Sequence, residues 1–148
     1  MFPPDFVEFL QLLNANEVEY LVVGGYAVGI HGHPRFTGDL DIWLKISDEN
    51  ATKILKTVNE FGFGSLGFTK DDFLTDENVI QLGYPPMRID LLTDIDGVSF
   101  ESCFENKKIQ EIDDIVINFI GYWDLLKNKK ATGRTKDAAD AEELEGKH

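Results

Sequence analysis

Three aspartates in the sequence have the spacing and surroundings expected of a site that binds divalent cations. Asp39 and Asp41 are separated by one residue. On a β-strand that spacing places both side chains on one face, about 7 Å apart along the backbone. Carboxylates this close repel each other unless a cation relieves the repulsion, and Mg²⁺ prefers such oxygens together with substrate phosphates. Asp90 lies in the otherwise apolar stretch RIDLL, where a charge needs a partner or a metal.

The aspartates alone also have a simpler interpretation. Asp39-Leu40-Asp41 is well explained by the polar face of an exposed strand, and Asp90 by itself indicates little. The sequence upstream favours a functional site, because Gly24-Gly25 follows an apolar run and precedes a helical pattern. Glycines there let a ligand approach the backbone closely, and a helix N-terminus favours phosphate. The segment matches neither G-x-G-x-x-G nor the G-K-[ST] of a phosphate-binding loop, and an ordinary turn remains the alternative.

The elements that must position these residues follow from the hydrophobic pattern. It predicts helices over 5–16, 26–30, 47–61, 99–106, 122–129 and 135–145, and strands over 20–23, 40–46, 79–82, 87–92 and 115–120. Residues 62–75 are predicted to be irregular. The order predicts an α/β (α+β) fold, with helices packed on a mixed β-sheet. We expect one domain over residues 1–148, closed by C-terminal helices at about 121–145.

The motif residues resemble a known family. Residues 21–44, LVVGGYAVGIHGHPRFTGDLDIWL, are similar to the DNA-polymerase-beta-like nucleotidyltransferase superfamily, whose signature is Gly-Gly or Gly-Ser followed shortly by Asp-x-Asp. They resemble most the small prokaryotic branch related to abortive-infection and toxin–antitoxin nucleotidyltransferases, with G-G-x-A and then R-x-T-x-D-[LI]-D. Residues 128–140, NKKATGRTKDAAD, are similar to the closing pattern of that branch, N-K-x-A-x-G-R-x-K-D-x-x-D. The matching positions of the front motif are Gly24, Gly25, Ala27, Arg35, Thr37, Asp39 and Asp41.

This resemblance implies a nucleotidyltransferase fold and transfer of a nucleoside monophosphate from an NTP to an acceptor hydroxyl, with release of pyrophosphate. It implies that Asp39, Asp41 and Asp90 are catalytic metal ligands for Mg²⁺ or Mn²⁺, with two ions expected. It also implies a set of nucleotide-binding residues, which are Gly24, Gly25, Arg35, Thr37 and Lys129.

Several of these residues have alternative roles. Arg35 could hold a phosphate or pair with an acidic neighbour, and Thr37 is expected rather to hydrogen-bond the turn. Lys129 could contact the nucleotide or belong to a solvated helix end. Asp137 and Asp140, three residues apart, are expected to form salt bridges on one helix face. Their expected cationic partner is Lys136 or Arg134.

Other reactive side chains are interpreted as structural. His31 and His33 are expected to be loop residues, because the sequence offers no further Cys or His set for zinc. Trp43 shares its strand face with Asp39 and Asp41, so it either lines the pocket or belongs to the core. Cys103 is the single cysteine and is expected to be a small buried residue.

Composition limits the partners. A net charge of -13 argues against a chain that mainly coats nucleic acid. Neither a membrane span nor a secretory signal is evident, and one cysteine excludes an internal disulfide, so we expect a cytoplasmic protein. The acceptor could be tRNA, a protein side chain or a small molecule. The alternative function is a nucleotide-binding regulatory or toxin–antitoxin component without turnover, with a partner protein or a homo-oligomer.

Overall fold

The computed structural model describes residues 2–34, 37–84 and 86–146 and contains a central mixed β-sheet. The strand order is β3-β4-β2-β1-β6-β5. Strand β2 pairs in parallel with β4 and antiparallel with β1, while β1 pairs in parallel with β6. The strands are β1 (Tyr20–Val23), β2 (Asp39–Leu44), β3 (Val79–Tyr84), β4 (Met87–Leu92), β5 (Lys108–Ile112) and β6 (Ile115–Phe119).

α-Helices alternate with the strands of this mixed sheet along the described chain, which confirms the predicted fold class. The chain between α3 and β3 forms only short helical turns, over Asn59–Phe63, Gly64–Leu66 and Lys70–Phe73. Within the described residues, no helix has the length and apolarity required to cross a bilayer. The α-helices are α1 (Pro4–Ala15), α2 (Gly24–Ile30), α3 (Asp48–Val58), α4 (Phe100–Glu105), α5 (Tyr122–Ala131) and α6 (Thr135–Leu144).

Local sequence explains the elements that frame the site. All four residues of β1 are buried, as expected for a strand covered on both faces. Helix α3 begins after Ser47, whose hydroxyl caps it by accepting a hydrogen bond from the backbone N–H of Asn50. It ends at Val58, earlier than the predicted Phe61, because the chain continues into a distorted turn with Gly62 at φ 108°.

Two sequence predictions about the elements were wrong. Strand β5 was missed, because it is an edge strand whose residues are mostly exposed and lack a buried alternation. Gly24-Gly25 does not form a turn that precedes a helix at Tyr26. Helix α2 instead begins at Gly24 itself, directly after the last residue of β1.

Candidate nucleotide-binding site

Strands β2 and β4 bring the three predicted aspartates together. Their parallel pairing places Asp41 opposite Asp90 and Asp39 opposite Arg88. Because Asp39 and Asp41, like Arg88 and Asp90, are two residues apart on a strand, the four side chains share one face of the sheet. The sequence predicted the alternation within β2, and the structure adds the register that joins β2 to β4.

The carboxylate cluster is partly buried, which makes its charges strongly interacting. Burial, together with the charges of Asp90 and Asp39, raises the pKa of Asp41 to about 7. The cations Lys129 and Arg88 act in the opposite direction on the same carboxyl. The carboxyl of Asp41 therefore gives up its proton less readily than an ordinary aspartate does.

Arg88 is a site residue that the sequence analysis did not identify. Its Nε donates a hydrogen bond to Asp90 Oδ1 at 2.7 Å, and its Nη2 donates to Asp90 Oδ2 at 3.0 Å. The same Nη2 reaches Asp39 Oδ2 at 3.2 Å. The signal was present in the sequence, because the i, i+2 spacing places Arg88 on the face of Asp90 in any strand.

The glycines at the start of α2 lie against this cluster. Gly24 has φ +69°, and a Cβ placed on it would collide with the carboxylate of Asp41. A Cβ on Gly25 would lie 2.9 Å from Cγ2 of Thr37. The backbone at Gly24-Gly25 thus approaches the cluster as closely as the absence of side chains allows. Thr37 also contributes to the local structure, since its carbonyl accepts a hydrogen bond from the Tyr26 hydroxyl.

Helices α5 and α6 supply one wall of the cavity that the glycines also line, and this wall is rich in charge. The whole cavity has a volume of about 450 Å³, within the range of small-molecule sites. Lys129, Arg134 and Lys136 contribute three cations to this part of the lining, against the single carboxylate of Asp137, beside the three predicted aspartates. The pocket therefore joins a carboxylate cluster to a basic wall, a combination suited to a metal–phosphate ligand.

Lys129 is held within this wall by two buried acids. Its Nζ lies 3.0 Å from Asp137 Oδ1 and 3.2 Å from Asp140 Oδ2. Asp137 also accepts hydrogen bonds from Thr132 and Arg134. The predicted salt bridge with Arg134 is confirmed for Asp137, and Lys129 is in addition the partner that both acids share. The alternative prediction, that Lys129 belongs to a solvated helix end, is wrong, because only 8% of the residue is exposed.

Electrostatics explain how Asp137 remains charged there. Its burial raises the pKa, but hydrogen bonds from Thr132 and Lys129, with the charge of Arg134, outweigh burial and lower the pKa overall. The ion cluster thereby fixes the connection between α5 and α6. A contact of Lys129 with nucleotide remains a prediction.

The remaining predicted residues lie as follows. Arg35 lies outside the described residues. Trp43 is buried and packs edge-to-face on Phe100 of α4, so it belongs to the core. His31 Nε2 lies 2.8 Å from the carbonyl oxygen of Ile120, and His33 Nδ1 lies 3.4 Å from Glu143 Oε1.

The donor set fits a hard divalent cation, because Asp39, Asp41 and Asp90 present carboxylate oxygens on one face beside an open cavity. In the arrangement seen here, no group of three His, Cys, Asp or Glu side chains among the described residues is already placed to hold a metal ion. Arg88 is the cation that now contacts Asp39 and Asp90. A metal ion held by all three aspartates would therefore require these side chains to rearrange.

Known structures share this architecture. A candidate nucleotidyltransferase from Thermotoga maritima matches with a TM-score of 0.64 and 16% identity, over 100% of this chain and 97% of that chain. The lincosamide antibiotic adenylyltransferase LnuA, with lincomycin bound, matches with a TM-score of 0.56 and 14% identity, over 100% of this chain and 99% of its own. An antigenic nucleotidyltransferase-like protein from Paracoccidioides brasiliensis matches with a TM-score of 0.53 and 18% identity, over 97% of this chain and 74% of that protein.

These likenesses define the fold of the chain as that of nucleotidyltransferases, which confirms the fold expected from the glycine and aspartate motifs. No protein-family model matches the sequence, and no curated protein is significantly similar to it. A relationship to the abortive-infection and toxin–antitoxin branch stays a prediction.

Proposed function

We propose that this protein is a metal-dependent nucleotidyltransferase that moves a nucleoside monophosphate from an NTP to an acceptor hydroxyl. The observation that carries the proposal is the pairing of β2 with β4. It joins Asp39 and Asp41 to Asp90, nearly fifty residues later, at a cavity bordered by Gly24-Gly25. The nucleotidyltransferase fold supports the same conclusion.

Asp39 and Asp41 would hold Mg²⁺ or Mn²⁺, two ions in all, with Asp90 as a ligand of one of them. The ions would neutralise charge on the phosphoryl group and lower the pKa of the acceptor hydroxyl. Gly24 and Gly25 would leave room for the triphosphate against the start of α2.

The reaction forms a bond between the acceptor oxygen and the α-phosphorus of the NTP. The bond from the α-phosphorus to the oxygen that bridges to the β-phosphate breaks, and pyrophosphate leaves. Asp90 would accept the proton of the acceptor hydroxyl, for which a carboxylate within hydrogen-bond reach is suited. Lys129, held between two acids, and Arg35 and Thr37 would contact the nucleotide.

We propose a small hydroxyl-bearing molecule as the acceptor. The net charge of -13 is unfavourable for a polyanion such as tRNA, because phosphate contacts supply most nucleic-acid affinity. The presence of a small-molecule antibiotic in the LnuA structure supports the same class. Protein and tRNA acceptors are the other outcomes of the experiment below.

The test incubates the protein with α-labelled NTPs, Mg²⁺ or Mn²⁺, and a cell extract separated into RNA, protein and small-molecule fractions. We expect label in the small-molecule fraction and release of pyrophosphate. The Asp39→Asn/Asp41→Asn variant serves as the control for label carried by other enzymes. Label incorporation equal in the variant, or absent from every fraction with wild-type protein, would overturn the proposal.

One observation supports the alternative of a nucleotide-binding regulatory or toxin–antitoxin component without turnover. Arg88 donates hydrogen bonds to both oxygens of Asp90, so the proposed proton acceptor is occupied in this structure. Under this alternative, calorimetry would show NTP binding while no acceptor pool yields product. A partner protein or a second copy would then convey the signal, and co-purification with the chain would identify it.

A further inference from the structure

The guanidinium of Arg88 lies where it neutralises the carboxylate cluster directly. Its Nε and Nη2 donate hydrogen bonds to the two oxygens of Asp90, and a third hydrogen bond, from Nη2, reaches Asp39 on the neighbouring strand. The side chains of Arg88 and Asp90 are only 22% and 10% exposed, so the pair is partly shielded from water. The hydrogen bond with Asp90 raises the pKa of Arg88, which is therefore always charged.

A cation that joins these carboxylates cannot keep the same contacts when a divalent metal enters. Mg²⁺ takes oxygen ligands at about 2.0–2.1 Å and demands near-octahedral geometry. The guanidinium occupies oxygens of Asp39 and Asp90 and would repel the incoming ion at short range. The two cations therefore compete for one set of oxygens.

The surroundings give Arg88 a place to move. On the side of β4 away from Asp39, the register partner of Arg88 is Gly83, which has no side chain. Arg88 also lines the same cavity as the glycines and the basic wall. A guanidinium that leaves Asp90 can thus turn within the pocket, where a triphosphate would offer it the bidentate partner that arginine matches best.

We propose that Arg88 is a positioning residue that exchanges partners during nucleotide binding. Without ligand it holds Asp39 and Asp90 together across β2 and β4. When metal and triphosphate arrive together, it releases the carboxylates to the metal and pairs with a phosphate. This inference rests on the proposed function, because it presumes that an NTP and a divalent cation bind at this pocket.

The exchange has a thermodynamic consequence. Mg²⁺ that binds alone must displace Arg88 from the carboxylates, and the guanidinium is then left without an anionic partner. When a triphosphate binds together with Mg²⁺, a phosphate replaces the lost partners of Arg88. We therefore expect Mg²⁺ to bind weakly alone and about 5-fold or more tightly with a non-hydrolysable NTP analogue, the lower range of ordinary coupling between sites. In Arg88→Met the affinity for Mg²⁺ alone should rise and this coupling should shrink.

Nuclear magnetic resonance of arginine Nε–Hε groups tests the exchange directly, since the chain has only three arginines. The Arg88 signal is identified by its loss in Arg88→Lys, which keeps the charge but not the fork. In ligand-free protein we expect slow solvent exchange, because Nε donates to Asp90 at 2.7 Å. Saturation with Mg²⁺ and the NTP analogue should shift the signal and alter its exchange rate. In ligand-free Asp90→Asn the Arg88 signal should likewise lose its slow exchange.

Calorimetry on the same samples separates the possible failures. If the ligands bind and the Arg88 signal does not change, Arg88 is a fixed structural residue and the exchange is wrong. If neither ligand binds, this inference and the proposed function fail together. Lys70→Met serves as a charge control, since it removes a cation paired with Asp48 at an exposed site. An equal rise in Mg²⁺ affinity in Lys70→Met and Arg88→Met would show that the loss of one positive charge explains the effect. That result would overturn the proposed exchange of partners.

Discussion

Asp41 and Asp90 lie directly opposite each other on the parallel strands β2 and β4, and Arg88 binds both oxygens of Asp90 from the same face. Under the proposed function, Asp39 and Asp41 would suffice to hold a metal–triphosphate complex, whereas Asp90 would be needed when an acceptor must lose its proton.

Asp90→Asn should therefore separate binding from turnover. We expect NTP affinity within a few-fold of wild type and transfer lowered by roughly 10²–10⁴-fold, the usual contribution of a proton acceptor. Calorimetric titration and a turnover assay measure the two quantities. Asp76→Asn, at an exposed position, is the matched control. A parallel decline of both quantities would make Asp90 a residue of nucleotide binding or structure.

Removal of both carboxylates of β2 should abolish the stabilisation that metal and nucleotide give. A ligand at 100 times its Kd stabilises the native state by about 2.7 kcal/mol, which a thermal melt detects readily. We expect the shift in wild-type protein with Mg²⁺ and NTP and its loss in Asp39→Asn/Asp41→Asn. The melt in EDTA shows whether the variant folds. A full shift in the folded variant would remove the metal assignment.

Gly24→Ala should damage the site more than its size suggests. The left-handed backbone costs a non-glycine residue about 1–3 kcal/mol, and the new Cβ would collide with the carboxylate of Asp41. We expect lower stability together with a loss of NTP affinity. Gly29→Ala is the control in the same helix, because its Cβ would meet only Pro34 Cα at 3.8 Å. Similar effects of the two changes on NTP affinity would contradict the close approach at Gly24.

Lys129→Met should destabilise the protein strongly, because it leaves Asp137 and Asp140 buried without their shared cation. Breaking a buried pair costs about 3–5 kcal/mol. The exposed pair of Lys130 and Glu145 provides the comparison, and Lys130→Met should cost about 1 kcal/mol or less. Urea denaturation measures both values. Equal losses would show that burial does not distinguish the two lysines.

Cys103 offers a chemical probe of folding. Burial raises the pKa of its thiol to about 12, and the charge and hydrogen bond of Asp124 act in the same direction. We expect native protein to resist alkylation by iodoacetamide at pH 8 and to react once urea unfolds it. The unfolded thiol ionises above about pH 8.5. The native thiol keeps its proton up to about pH 12, so its contribution to stability declines as the pH rises between these values. Fast alkylation of native protein would contradict the burial.

The parts of the site that local patterns control were predictable. Alternation placed Asp39 and Asp41 on one face, and the apolar run before Gly24 indicated β1. The contact between Asp41 and Asp90 depends on the pairing of two strands far apart in sequence, and a single sequence does not specify that register. The burial of Lys129 was missed for a similar reason, because it depends on how α6 packs against α5.

The parallel pairing of β2 with β4 has a consequence for how the site is assembled. Parallel strands need a long crossover, and here it spans α3, the short helical turns and β3. A nascent chain that ends before β4 already carries Gly24-Gly25 and Asp39-Leu40-Asp41 but lacks the strand that completes the cluster. Ligand-binding competence should therefore appear only after long-range closure, among the slower events of folding, and an N-terminal fragment bearing the full signature should remain inert.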